Sequence, residues 1–249
     1  MPIPLRVHLL PASIPAGNLR GEIAIVVDVL RATTAMVRAI SAGGRAIIPC
    51  LEVEEARSVA STFSPESVLL AGERMGLLIE GFDLGNSPST FDRERCEGRT
   101  VVMTTTNGTR AILASVDADR VLIASFGNLD ATSRVAASSG LAVHIVCSGT
   151  DGRISWEDAL LAGAIVRGVE ARAISGCVRS NDEAEIAAGL WPEDDRSTGD
   201  LAGRLARGRG GRRVRELGFG DDIEEAARID WSDRVLELQR DPLRIVSNS

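Results

Sequence analysis

Residues 24–43 read AIVVDVLRATTAMVRAISAG. The first six, AIVVDV (24–29), form a short apolar, β-branched run that reads as a buried strand. After a polar break, TTAMVRAISAG (33–43) has helical spacing and stops at Gly43, a residue type that readily ends a helix. A buried strand leading into a helix through so short a link is the building unit of a parallel sheet. The unit recurs along the chain. AIIPC (46–50), SVLLAG (67–72), TVVMTT (100–105), RVLIAS (120–125) and LAVHIVC (141–147) read as strands. EVEEARSVASTF (52–63), NGTRAILASV (107–116), NLDATSRVAASSG (128–140) and SWEDALLAGAIVRGVEA (155–171) read as the helices between and after them.

This alternation predicts an α/β fold, a layered α/β/α arrangement with a largely parallel or mixed sheet. After Ala171 the pattern is mainly helical, which gives a helical C-terminal third; DRVLELQRDPLRIV (233–246) has the pattern of a terminal pair of strands. GERMGLLIEGFDLGNSPS (72–89) is long, glycine-rich and without clear periodicity, so it reads as a mostly irregular functional loop. WPEDDRSTGD (191–200) is the best loop candidate in the remainder. No internal repeat or linker stands out. One compact unit over residues 1–249 is expected, with two lobes divided near 172–200 as its variant.

Composition narrows the chemistry. All 28 basic residues are arginine, tyrosine is absent, and the histidines are His8 and His144 alone. Without lysine there is no Schiff base and no Walker-A loop. Two distant histidines argue against a His-rich zinc or iron centre, and no C-x-x-C pair is present among the four cysteines. Carboxylate, arginine, hydroxyl, backbone-amide and thiol chemistry remain, a set suited to phosphate. The N-terminus lacks the charged start and apolar core of a signal peptide, and no run approaches the ~18–20 apolar residues of a membrane span. A reduced, cytoplasmic, soluble protein without a membrane partner is expected.

Three segments share a layout of apolar strand, polar loop and helix: DVLRATT (28–34), TTTNGT (104–109) and CSGTDGR (147–153). Ligands of open parallel sheets bind beyond the carboxyl ends of strands, where helix N-termini offer N–H groups to anions. The shared layout predicts one anion pocket. Asp28 is a carboxylate at a buried strand end, which calls for a partner or a metal. Arg31 can fork onto a phosphate or sulfonate; the alternative is an Asp28–Arg31 structural pair with Thr33 capping the helix. Thr105, Thr106, Asn107, Gly108 and Thr109 suit wrapping of a tetrahedral oxyanion, with a turn and helix cap as the alternative.

CSGTDGR has the C-x5-R spacing of cysteine phosphatases: Cys147 as nucleophile, Ser148 and Gly149 in the loop, Arg153 holding oxygens. Thr150 stands where those enzymes carry glycine, and a buried core cysteine is the alternative. Glu157 and Asp158 follow in a helix first turn, within reach of a metal or serving the helix dipole. In the glycine-rich loop, Glu73, Arg74, Asp83 and Asn86 suit Mg²⁺ and phosphate. The arginine run at Arg204, Arg207, Arg209, Arg212, Arg213 and Arg215 is a nucleic-acid candidate by charge. With a net charge of −7 and 3% aromatics, it reads instead as a solvated or internally paired face, and no nucleic-acid partner is expected.

VVDVLRATT, AGERMGLLIEGFDLGNSP, TTTNGTRAI and CSGTDGRISWEDALLAGA, in that order, closely resemble the 2-phosphosulfolactate phosphatase family. The likeness runs from Ile23 to Ala164 and continues more weakly through SNDEAEIA (180–187) and RRVRELGFGDDIEEAARID (212–230). The resemblance implies an α/β fold peculiar to the family and Mg²⁺-dependent removal of phosphate from 2-phospho-3-sulfolactate, giving 3-sulfolactate. The expected ligand is thus a small phosphorylated sulfonate or carboxylate. Asp28 with Glu73, Asp83, Glu157 and Asp158 is the expected metal set; Arg31, Thr33, Arg74, Asn86, the 105–109 loop, Ser148, Gly149 and Arg153 are the expected anion contacts. Metal-activated water or Cys147 is the nucleophile, with water favoured. The other readings are a non-catalytic small-anion-binding protein and, from the arginine run, a nucleic-acid-associated one; a homo-oligomer is compatible with all of them.

Overall fold

A computed structural model describes residues 1–15, 17–191 and 200–248. The chain forms β1 (Ile3–His8), β2 (Ile23–Val27), α1 (Ala32–Ser41), β3 (Ala46–Pro49), α2 (Val53–Ala60), β4 (Val68–Arg74), β5 (Leu77–Leu78), α3 (Arg93–Cys96), β6 (Thr100–Thr104) and α4 (Gly108–Ala114). There follow β7 (Arg120–Ala124), α5 (Leu129–Ser138), β8 (Val143–Cys147), α6 (Trp156–Glu170), β9 (Cys177–Arg179), α7 (Asp182–Leu190), α8 (Leu201–Ala206), α9 (Arg209–Glu216), α10 (Gly220–Ala226), β10 (Val235–Arg240) and β11 (Leu243–Asn248). The loop expected at 191–200 falls almost wholly outside the described residues. No helix among the described residues is long and apolar enough to cross a membrane.

The strands form one mixed sheet in the order β5-β4-β6-β3-β11-β10-β7-β2-β8-β1-β9. It holds two parallel blocks. β4, β6 and β3 make the first; β7, β2, β8, β1 and β9 make the second. The terminal hairpin β10–β11 lies between them and pairs antiparallel with β7 on one side and β3 on the other. The terminal strand pair is therefore the centre of the sheet. This corrects the expectation of a helical C-terminal third: helices are spread through the chain, and its end is β. β1 and β9 also went unread, β1 because its IPLRVH carries a proline and two basic or titratable residues.

β2 explains the quality of the opening signal. All five of its residues are buried, as expected for a parallel strand covered on both faces. Each fully buried valine or isoleucine side chain contributes about 1.5–3 kcal/mol. α1 is buried almost throughout, and its Ala32, Ala35, Met36, Val37, Ala39 and Ile40 share one apolar cluster with residues of both parallel blocks. A second cluster packs the other face of β1, β2 and β8 against α6, α7 and the helices that follow. The two blocks thus close on α1, which lets loops from both meet at one place.

Candidate active site

The meeting place is a cleft of about 630 Å³. Asp28, Leu30 and Arg31 come from the turn after β2, and Glu73, Arg74, Met75 and Gly76 from the β4–β5 hairpin. Asn86 comes from the following loop, Thr105, Thr106 and Asn107 from the turn after β6, and Thr150 and Asp151 from the turn after β8. The rest of the lining comes from α9, with Arg209, Gly210, Arg212, Arg213, Val214 and Glu216, and from Leu217 just beyond it. The three strand-end loops expected to converge do converge.

The turn after β2 is built by its own polar groups. The Thr33 hydroxyl donates to the Asp28 carbonyl at 2.9 Å and accepts from the Asp28 N–H at 3.0 Å. The Ala32 N–H donates to Asp28 Oδ1 at 3.2 Å. Thr33 is fully buried and does not line the cleft. After β6, Thr109 braces the turn through its hydroxyl, which accepts from the Thr105 N–H at 3.2 Å. Gly108 sits so close to the first turn that a Cβ there would lie 2.6 Å from the Ala32 Cβ and 2.8 Å from Asp28 Oδ2. Glycine is therefore required for the two loops to touch.

Most of the expected metal carboxylates are fasteners. Glu73 accepts from the Thr106 N–H at 2.7 Å and the Gly76 N–H at 2.6 Å, tying the hairpin to the β6 turn. Asp158 accepts from Val29 N–H at 2.9 Å, Ser148 Oγ–H at 3.1 Å and Gly149 N–H at 3.0 Å, tying the β2 turn to the β8 turn. Asp83 is exposed, away from the cleft, and accepts from the Leu70 N–H at 2.8 Å. Glu157 is 1% exposed, with Oε2 lacking any hydrogen-bond partner; a Cβ on Gly210 would lie 1.9 Å from its Oε1. Asp28, Glu157 and Asp158 crowd one buried region. Burial first, then mutual repulsion, pushes Asp158 well up and Glu157 up to about 7. Asp28 rises to about 6, by burial above all, with Glu73 adding to it.

The five carboxylates do not form a common cage: among the described residues no group of three or more histidine, cysteine or acidic side chains is placed to hold a metal. Mg²⁺ needs less, since it is commonly held by one or two carboxylates and completed by substrate phosphate and water. Asn86 Oδ1 and Thr106 Oγ1 are buried oxygens without a hydrogen-bond partner, and both residues line the cleft beside Asp28. This all-oxygen set fits a hard cation shared with a bound phosphate.

The two ends of the C-x5-R segment do not meet in the cleft. Cys147 is fully buried at the end of β8 within the apolar cluster, and burial pushes its thiol well above the usual range. Arg153 is exposed and does not line the cleft, because Thr150 and Arg153 close a tight turn through two backbone hydrogen bonds of 2.8 and 3.1 Å. Arg31 and Arg74 do reach the cleft, but their guanidinium groups are already held. Arg31 Nη1 donates to Asp222 Oδ2 at 2.9 Å and Nη2 to the Gly76 carbonyl at 2.7 Å, over the Phe219 ring. Arg74 donates to the Glu73 and Leu51 carbonyls and to Thr104 Oγ1.

The arginine run divides. Arg204 donates to the Leu190 carbonyl and lies over the Trp191 ring, while Arg207 and Arg215 are exposed and off the cleft. Arg209, Arg212 and Arg213 are exposed, with Arg209 and Arg213 paired to Asp151 and Glu216, and all three line the cleft, which the reading of a solvated or paired face did not anticipate. The signal was present: an arginine-dense helix in a chain of net charge −7. Thr150 and Asp151 were also missed, although their motif was noticed. His8 and His144 are buried and bonded to each other at 2.8 Å, away from the cleft.

The model of the 2-phosphosulpholactate phosphatase family matches residues 8–241. The chain belongs to this family. Relatives agree over most of their length. A probable 2-phosphosulfolactate phosphatase of Caldanaerobacter subterraneus subsp. tengcongensis is 35% identical over 93% of this chain and 94% of its own. That of Symbiobacterium thermophilum is 40% identical over 86% of this chain and 90% of its own. The cleft described above is thus the candidate active site of a phosphatase-family member, and the match extends through α9 and α10, where the sequence likeness was weak.

Proposed function

We propose that the protein hydrolyses 2-phospho-3-sulfolactate to 3-sulfolactate and phosphate in a Mg²⁺-dependent reaction. The observation that carries this reading is the convergence of Asp28 with the Thr105–Asn107 turn and two unpaired buried oxygens in one cleft. The family match supplies the substrate class. The Thr105–Asn107 turn, at the start of α4, receives the phosphate through its hydroxyls and amide. Asp28, Asn86 and Thr106 would hold the Mg²⁺, which when bound offsets the phosphate charge and lowers the cost of attack at phosphorus.

Water attacks phosphorus as the ester oxygen leaves. Asp28 orients that water, takes its proton as it attacks and returns it to the departing ester oxygen. Arg31 and Arg74 hold the loops and lend fixed positive charge without exchanging protons. Glu73 and Asp158 keep the loops in register. The burial of Cys147 in the core supports water over a thiolate as the nucleophile. Phosphate release from 2-phospho-3-sulfolactate, assayed with EDTA and then with added Mg²⁺, tests the reading. Loss in EDTA and recovery with Mg²⁺ is expected. EDTA-insensitive release would remove the metal role, and no release under either condition would leave a non-catalytic anion-binding protein.

A further inference from the structure

We propose that Arg212 on α9 is the specificity residue that receives the substrate's sulfonate. This rests on the functional reading above and deepens it. Of the arginines lining the cleft, most already have a carboxylate or a full set of acceptors. Arg31 is bonded to Asp222 at 2.9 Å, and Arg74 is spent on two carbonyls and a threonine hydroxyl. Arg209 pairs with Asp151 at 2.9 Å, and Arg213 lies 3.9 Å from Glu216. Arg212 differs. Among the described residues no carboxylate lies within 4.0 Å of its guanidinium, and its one hydrogen bond goes to the Arg207 carbonyl. It is exposed and lines the same cleft as Asp28 and Thr105–Asn107.

The cleft therefore offers two kinds of contact. One part of its lining holds a carboxylate, backbone turns and unpaired oxygens, suited to a phosphoryl group. Its α9 side holds an exposed guanidinium that acts on the buried Glu157 carboxylate through space but has no carboxylate in direct ion-pair contact. A ligand with a phosphate at one end and a strong acid one carbon further out satisfies both. A sulfonate suits Arg212 well: three oxygens accept from a guanidinium fork, and the group stays ionised throughout the working pH range. α9 is seated firmly enough to specify this. Gly208 and Gly210 lie against the buried Glu157 carboxylate, where a Cβ on either would come within 2.3 Å of a carboxylate oxygen.

The test is Arg212→Gln, assayed on two esters: 2-phospho-3-sulfolactate, and 2-phospholactate, in which the sulfonate is missing. Losing a charge-assisted hydrogen bond should raise KM for the sulfonated ester by roughly tenfold or more, with kcat much less affected. The preference for the sulfonated ester, as the ratio of kcat/KM values, should fall by about tenfold. Equal losses on both esters, or none on either, would overturn the proposal. Calorimetric titration of 3-sulfolactate into wild type and variant separates this from the phosphatase reading. If wild type releases no phosphate, the hydrolase reading fails, and an affinity about tenfold weaker in the variant still supports the subsite. Equal affinity in both proteins, or no binding to wild type, removes it.

Discussion

Replacing Asp222 with alanine tests how the C-terminal helices are joined to the active-site loops. The Arg31 and Asp222 side chains are 4% and 2% exposed and meet at 2.9 Å. Removing one partner of a buried pair leaves an uncompensated charge, at a cost of about 3–5 kcal/mol. The Ser87 hydroxyl, which donates to the other Asp222 oxygen at 2.5 Å, also loses its acceptor, adding about 1 kcal/mol. Two features limit the total. Arg31 lines the cleft, so water can enter beside it, and its Gly76 and Phe219 contacts remain. The lower bound of about 3 kcal/mol is therefore expected. In a chain of 249 residues that corresponds to a Tm lower by about 6–12 °C. Urea unfolding should show a lower midpoint at an unchanged m-value. The double variant Arg31→Met with Asp222→Leu removes both charges and should recover most of the loss, giving a coupling energy above about 1.5 kcal/mol. A single-variant loss under about 1 kcal/mol, or a double variant equal to the sum of its singles, would refute the view that this pair joins the two parts.

Two further outcomes follow from the same geometry. Cys147→Ser should keep kcat within about threefold of wild type, since the thiol is sealed in the core, whereas loss of a nucleophile would cost about a thousandfold or more; kcat from phosphate release decides between them. Asp28 and Glu157 have folded-state pKa values raised from 3.8 to about 6 and from 4.5 to about 7. Each favours the fold fully below its unfolded value and loses that contribution as pH rises through its folded one. In EDTA, Asp28→Asn and Glu157→Gln should therefore gain stability relative to wild type as pH rises from about 4 to 8; melting curves that stay parallel over that window would contradict the shifts.

Much of the fold could be read because each signal was local. The parallel strands are buried apolar runs and the helices between them have clear stops, so their ends were placed within three residues. The centre of the sheet could not be found that way. VLELQR and LRIVSN alternate or mix polar with apolar residues, and only their pairing with β7 and β3 makes them central. The cleft followed the same division. Asp28, Glu73, Asn86 and the 105–107 turn lie at strand ends and in the long glycine-rich loop, where ligand sites are expected. Arg212 and Asp222 lie on short helices far along the chain, and nothing in their own neighbourhood says which face meets the cleft. Asp83 and Asp158 show the converse. A carboxylate next to a motif looks like a ligand in sequence, but here each serves nearby backbone N–H groups instead.

The lysine-free composition acquires its meaning from this division of labour. Every cationic side chain at the cleft is a guanidinium, so the protein's own positive charge there is constant across the working pH range. Any pH response of the cleft's own side chains must come from the carboxylates, and the raised ones lie together, Asp28 in the cleft lining and Glu157 and Asp158 buried near it. Planar guanidinium groups also serve as braces: Arg31 reaches a carboxylate, a carbonyl and an aromatic face at once, a set of contacts that a lysine ammonium could not reproduce. Arginine is thus spent twice here, first in holding four loops in register and then, through α9, in facing the ligand. The two uses are separable, because disrupting Arg31 should unfold the site whereas disrupting Arg212 should leave it folded and change what it prefers.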